Sequence, residues 1–272
     1  LGLAIPEEYG GFPVDAVLTM LVYAELSRVS PALSLILSVH NSLTSAAIAG
    51  NATEAVKSRL LPRLADGSLL GAYCLTEPDA GSDAASIQTR AERVTGGYVL
   101  NGQKIFITSG AHAGVFIVFA VTDRTARTSQ RITAFVVEQG TDGIEVGPKE
   151  RKLGLHASHT HAVAFRDCWV SDEHVLGYVG SGFPLAMQLL DSGRIGIAAQ
   201  AIGIAQASLD ASIMYAQSRK QFGQHISNFQ AIQWKLADMA TDLEAARLLA
   251  WNAARLKDNG QRFSQAASHA KL

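Results

Sequence analysis

Cysteine is almost absent from this sequence. Cys74 and Cys168 are the only two, too few for a disulfide framework, and they read as reduced thiols of a cytosolic or matrix compartment. An excess charge of either sign is lacking as well: 23 Lys and Arg stand against 24 Asp and Glu. With no basic face implied, a nucleic-acid or polyanion partner is disfavoured. No apolar run approaches the ~20 residues of a membrane helix. The longest, such as Val115–Val121, have the length of buried strands. No secretory signal opens the chain. Two catalytic signatures are missing too. No Gly-x-Gly-x-x-Gly opens a βαβ unit, so a Rossmann site is not indicated, and no Gly-x-Ser-x-Gly elbow supports a hydrolase triad.

What is present is enough apolar material, 48% of 272 residues, for one large domain or two to three smaller ones. Residues 1–72 read as an α-helical domain. Helical spacing runs from Val14 to Ser27 and from Leu33 to Ala49, with Pro31 suited to a first helical turn. Another short helix starts at Thr53, and Pro62 is expected to interrupt or re-nucleate it. Residues 73–175 change to strands. Asn101-Gly102 suits a type I′ turn between Tyr98–Leu100 and Gln103–Thr108; β-branched runs follow at 115–121 and 132–137, and 160–165 is a further candidate strand. This middle domain reads as an antiparallel β barrel or sandwich. Residues 176–272 return to helix. A stretch from Phe183 to about Arg219 has no proline beyond Pro184 and would span roughly 50 Å. A second, 229–257, carries Ile232, Leu236, Met239, Leu243, Ala246 and Ala250 as a bundle seam. The fold class is therefore α+β multidomain, ending in an incomplete four-helix bundle. The chain opens without Met and stops at Ala270-Lys271-Leu272 inside a helical pattern, which reads as a piece of something longer.

Five segments then stand out: Ile5-Pro6-Glu7-Glu8-Tyr9-Gly10-Gly11, Leu75-Thr76-Glu77-Pro78-Asp79-Ala80-Gly81-Ser82-Asp83, Asn101 to Gly110, Lys152-Leu153-Gly154, and Arg219-Lys220-Gln221-Phe222-Gly223. In order and spacing they resemble the acyl-CoA dehydrogenase family across nearly the whole chain. The family's α domain, β domain and four-helix bundle agree with the division above. The stretch Gly193-Arg194-Ile195-Gly196-Ile197-Ala198 is most similar to short-chain, butyryl-CoA-type members.

The resemblance implies FAD as cofactor. Tyr73, Leu75, Thr76, Gly81 and Ser82 would run along the flavin pyrimidine edge, in a turn able to aim N–H groups and hydroxyls at a polar ring edge. Phe106, Ile107 and Thr108 would follow, the aromatic packing on the isoalloxazine and the hydroxyl reaching its N5 edge. Arg219, Phe222 and Gln230 would reach the FAD of a neighbouring subunit, Arg219 by pairing with its pyrophosphate and Gly223 marking the end of the long helix. Ser82, Asp191 and Arg194 would contact the acyl-CoA, although Asp191 and Arg194 could equally form a local i,i+3 ion pair.

The implied reaction is α,β-dehydrogenation of a short-chain acyl-CoA to the trans-2-enoyl-CoA. A carboxylate removes the α proton, the flavin takes the β hydride, and hydrogen bonds to the thioester oxygen stabilise the enolate. No residue of the chain is assigned as that base. The family's usual glutamate would lie beyond Leu272, the minority position is Gly193, and Glu244 reads as helix surface. A homotetramer and an electron-transferring flavoprotein as acceptor are implied by family alone, in bacterial cytoplasm or mitochondrial matrix. A nitroalkane oxidase, a flavin monooxygenase or a non-catalytic scaffold on the same fold are the alternatives. His156, His159 and His161 invite a metal reading, but in an extended segment His156 points away from the other two. No metal is expected.

Overall fold

A computed structural model describes residues 1–272. Elements follow the expected order of helices, strands and long helices. Helix α1 (Ala16–Val29) starts where the Asp15 carboxylate accepts the Leu18 N–H at 2.7 Å, a side-chain cap for an otherwise unpaired amide. Helix α2 (Pro31–Ser38) has Pro31 in its first turn. It widens without a break into a π-helical stretch, Val39–Ser45, and resumes as α3 (Ala46–Asn51). Helix α4 (Glu54–Asp66) is capped by Thr53 and ends at Gly67, at φ 82°. Pro62 lies inside it without interrupting it, contrary to the sequence expectation. Pro62 and Ser58, four residues earlier, are both exposed, so the carbonyl that loses its N–H partner can be satisfied by water.

Two helical stretches, Pro31–Asn51 and α5 (Gly182–Ser218), are long and apolar enough to cross a membrane by length and composition. Neither is an unbroken apolar run: Ser34, Ser38, His40 and Asn41 interrupt the first, and Asp191 and Arg194 the second. The first four are buried, and internal bonds satisfy several of their polar atoms: the Ser34 hydroxyl donates to the Tyr23 carbonyl and the Asn41 amide to the Leu37 carbonyl. Core helices pass the same test of composition.

The strands are β1 (Gly71–Cys74), β2 (Arg90–Val94), β3 (Gly97–Thr108), β4 (Val115–Val121), β5 (Ile132–Glu138), β6 (Ile144–Lys149), β7 (Thr160–Ser171) and β8 (Val175–Leu176). They form one sheet in the order β6-β7-β3-β2-β4-β5-β8, with β1 also beside β4. Neighbours are antiparallel, except that β1 and β2 run parallel to β4. Strand β4 is buried on both faces. Phe116 and Val118 join Leu100, Val163 and Phe165 in a core within the sheet. Ile117 and Phe119 join Ile48, Leu60 and Leu64 of the helices and Leu185 and Leu189 of α5. Its unbroken apolar run follows from that double burial.

The turn placed at Asn101-Gly102 is not there. The hairpin closes instead at Thr95-Gly96, where Val94 pairs with Gly97 and Gly96 takes φ 78°. Asn101-Gly102 lies inside β3 at a break in its register with β7. A Cβ on Gly102 would lie 2.4 Å from the Thr89 Oγ1, so glycine serves close approach here instead of a turn.

The chain divides into two compact units, residues 1–14 with 36–193, and residues 15–35 with 194–272. The second holds α1, the later part of α5, the short hairpin β9 (Lys220–Gln221) and β10 (Gln224–His225), α6 (Gln230–Asp258) and α7 (Ser264–Lys271). Gly203 lets α5 lie against α1, since a Cβ there would come within 2.1 Å of the Ala24 carbonyl oxygen. Asp258, at the end of α6, accepts the Ala16 and Val17 N–H groups at 2.7 and 3.1 Å, placing a carboxylate at the positive end of α1. Along the α6 seam Leu243 and Ala250 are buried, while Met239 remains 38% exposed.

Candidate functional site

Strand β1 delivers the chain into the loop 75–82. Tyr73 packs on Phe119, ring centroids 5.0 Å apart, and its hydroxyl is buried without a hydrogen-bond partner. Burial raises its pKa and keeps it a neutral donor. Leu75 is buried, Thr76 half-buried, and Gly81 and Ser82 are exposed. The turn between them is closed by reciprocal hydrogen bonds between Glu77 and Ala80, N–H to carbonyl, at 3.1 and 3.2 Å. Nothing lies within 4 Å of where a Gly81 Cβ would sit.

The end of β3 faces this loop. Its register with β7 breaks again between Lys104 and Ile107. Inside the break Phe106 adopts φ 57°, a left-handed conformation that costs a bulky residue about 1–2 kcal/mol. Its side chain is left 64% exposed while Ile107 is buried and Thr108 is half-buried opposite Thr160. The Ile105 N–H donates to the Thr76 carbonyl at 2.9 Å, and the Lys104 ammonium to the Leu75 carbonyl at 3.1 Å. The structure thus pins Leu75 and Thr76 to Lys104 and Ile105, the residues that lead into Phe106 to Thr108.

Behind the loop sits an ion pair that the sequence reading did not single out. Lys104 is fully buried and Glu77 is 5% exposed, with Nζ to Oε1 at 2.7 Å. The Glu77 carboxylate also accepts the Gln88 and Thr89 N–H groups at 2.5 and 3.0 Å. Burial works against its charge, but Lys104 and these amides outweigh burial and hold its pKa below the usual value. The signal was available: a lysine among the apolar residues of a long strand needs a buried partner.

A second group gathers in the other unit. Helix α5 stops at Ser218, so Gly223 does not end it. Phe222 and Gly223, at φ 50° and 76°, form the two-residue turn of the β9–β10 hairpin, the geometry of a type I′ turn. Phe222 is 93% exposed and edge-on to Phe229 at 6.2 Å. The Arg219 carbonyl accepts the Ile226 N–H at 2.9 Å, and Gln230, exposed, opens α6. Arg219, Phe222 and Gln230 are thereby gathered around one short hairpin. Asp191 and Arg194, both half-buried, lie three apart on α5 and so on neighbouring positions of one helix face. Glu244 is exposed and pairs with Arg247 at 3.4 Å.

His112, which the sequence reading passed over, shares a hydrogen bond between its Nε2 and His159 Nδ1 at 3.0 Å, and the His159 and His161 rings are 6.3 Å apart. His156 is exposed. No group of three or more His, Cys, Asp or Glu side chains is arranged to hold a metal ion.

The loop and strand end together suit a flat aromatic ring with polar edges. They offer an exposed phenyl side chain, a half-buried threonine hydroxyl on either side, and an open glycine-containing turn. In the other unit, Arg219 is exposed and stands three residues before the exposed Phe222; a guanidinium is a residue type that suits a phosphate-bearing ligand.

Three family models match: the acyl-CoA dehydrogenase N-terminal domain over residues 1–68, the middle domain over 72–168 and the C-terminal domain over 180–272. A short-chain specific acyl-CoA dehydrogenase of Clostridium acetobutylicum is 44% identical over the whole chain, which covers 72% of that relative. The structure of butyryl-CoA dehydrogenase from Megasphaera elsdenii is 44% identical with a TM-score of 0.95, over 99% of this chain and 71% of that one. An FAD complex of PigA is 30% identical with a TM-score of 0.93, over 98% and 70%. With all three domain models matched in order along one chain, the protein belongs to the acyl-CoA dehydrogenase family.

Proposed function

We propose that the protein catalyses FAD-dependent α,β-dehydrogenation of short-chain acyl-CoA thioesters. The observation that carries this is the pinned strip, Leu75-Thr76 bonded to the strand that ends in Phe106-Ile107-Thr108. Its short-chain character is supported by the Clostridium and Megasphaera relatives. FAD, when bound, supplies the acceptor for the substrate's β hydride.

The chain's own residues bind and orient. Phe106 offers its ring face to the isoalloxazine. Tyr73, Thr76, Gly81 and Thr108 supply hydroxyls and backbone groups for its polar edges, with Leu75 and Ile107 as the apolar backing. Ser82 lies at the exposed end of the same loop, where it would position the thioester end of the substrate. Asp191 and Arg194 would contact the acyl-CoA from α5. Arg219, Phe222 and Gln230 would hold the dinucleotide of a neighbouring copy, which makes a homo-oligomer, by family a tetramer, necessary for full cofactor binding. The α-proton acceptor is assigned to none of these residues: Gly193 has no side chain to offer, and Glu244 is engaged with Arg247 at the surface. An electron-transferring flavoprotein is proposed as the acceptor, and bacterial cytoplasm or mitochondrial matrix as the compartment.

The test is anaerobic addition of butyryl-CoA to the purified full-length flavoprotein. Bleaching of the band near ~450 nm with enoyl-CoA formation is the expected result. A flavin band that persists would overturn the short-chain assignment and direct attention to nitroalkane or branched acyl substrates. A protein that takes up no FAD would overturn the cofactor reading and leave a scaffold role.

A further inference from the structure

We infer that the buried Glu77–Lys104 pair is the positioning element that locks the cofactor-edge loop to the strand end carrying Phe106, so that FAD affinity depends on two residues that need not touch the cofactor. The inference rests on the FAD reading above and adds to it the device that sets the site's geometry.

Taking an ammonium and a carboxylate out of water costs several kcal/mol per ion, and a well-packed apolar pair of similar volume is often as stable. A pair kept under those conditions is explained by what it fixes. Lys104 spends donors on two points of the loop, the Leu75 carbonyl at 3.1 Å and the Glu77 carboxylate at 2.7 Å. Glu77 passes the restraint onward to the Gln88 and Thr89 amides, at the start of the segment entering β2. One connected network therefore ties together the exit of β1, the turn at residues 77–80, the entry to β2 and the middle of β3.

Position along β3 gives the network its purpose. Lys104 stands immediately before the register break, and Phe106, two residues on, is held at φ 57°. A strained conformation persists only where its surroundings over-determine it. The Ile105 N–H bonded to the Thr76 carbonyl and the Lys104 ammonium bonded to the Leu75 carbonyl anchor the chain just upstream of that residue. Loosening them would let β3 relax and let the loop move off the cofactor edge.

The test compares three variants of the full-length protein with wild type: Glu77→Gln, Lys104→Met, and the two combined. Lys104→Met alone leaves a buried carboxylate unpaired and is expected to fold poorly. The combined variant removes both charges, and its apoprotein is expected to melt within a few degrees of wild type. The dissociation constant for added FAD, read by flavin fluorescence quenching, is expected to rise about ten-fold in the combined variant, the loss that goes with removing one charge-assisted hydrogen bond. The vibronic shoulders of its ~450 nm band should also broaden as the ring environment loosens. Glu77→Gln leaves the buried Lys104 ammonium without its counter-charge and is likewise expected to fold poorly, so the combined variant carries the test. Unchanged FAD affinity and band shape in a folded combined variant would overturn the inference. A wild type that binds no FAD would instead defeat the functional reading on which it rests.

Discussion

Asn101 and Asp167 exchange two hydrogen bonds across the gap where β3 and β7 lose register. The Asn101 amide donates to the Asp167 carboxylate, and the Asp167 N–H donates to the Asn101 side-chain oxygen, each at 3.0 Å. The asparagine thus replaces the ladder bonds that the bulge removes. Asn101→Ala should cost about 1–2 kcal/mol in urea unfolding and leave the FAD content of the purified protein unchanged. A loss of flavin in this variant would mean that the bulge is coupled to the site.

Phe106 allows strain and ring contact to be separated. Phe106→Ala keeps a Cβ at φ 57° and loses the ring; Phe106→Gly loses the ring and the strain together. Both should bind FAD more weakly, but the glycine apoprotein should be the more stable of the two by about 1 kcal/mol. Equal unfolding midpoints would show that the backbone is not strained there.

His40 sets a pH limit. It is buried in the π-helical stretch, with Nε2 3.0 Å from the Leu64 carbonyl and Nδ1 accepting the Gly71 N–H at 3.3 Å. That fixes a neutral ring, protonated on Nε2. Burial is the main cause of its pKa falling to about 4 from 6.5. A depressed folded-state pKa means the unfolded chain binds the proton first. This contribution to stability is therefore complete above pH ~6.5 and lost as pH falls toward ~4, at most about 3 kcal/mol. His40→Asn should be less stable at pH 7, and its stability should fall less steeply than that of wild type between those limits.

Both cysteines should be inert in the folded protein. Burial pushes Cys74 up to about 12 and Cys168 up to about 11, so almost no thiolate exists at neutral pH. A thiol reagent at pH 7.5 should modify neither until denaturant is added, and then both. Rapid native labelling of one thiol would show that its strand opens locally.

The long helices were legible because an unbroken apolar spacing over some thirty residues leaves no other reading; α6 spans Gln230–Asp258 where 229–257 was expected. The hairpin was misplaced because Asn-Gly has two uses. At a turn both residues exploit positive φ, whereas here Asn101 bonds sideways to Asp167 and Gly102 makes room for Thr89. Thr95-Gly96, the actual turn, carries a weaker signal, since only its second residue is a strong turn former. In the candidate site the residue types were legible and the supporting structure was not. The left-handed Phe106 depends on pairing between distant strands, and so does the meeting of His112 with His159, which are far apart in sequence. The buried partnership of Glu77 and Lys104 has the same origin: a lysine in a long strand asks for a buried partner, but only the meeting of distant segments says which carboxylate supplies it.

The cap that Asp258 provides for α1 has a consequence for biosynthesis. As the chain leaves the ribosome, residues 16 to 29 emerge early, yet the carboxylate that satisfies their first amides is made 242 residues after Ala16. Until then the start of α1 must wait in water or in the care of a chaperone, while everything the first unit needs has already been translated by Gly193. The β sheet and the helices packed on it can therefore mature while α1 and the later part of α5 are still unpartnered, and nascent chains stalled between those two points should be the ones most prone to aggregate.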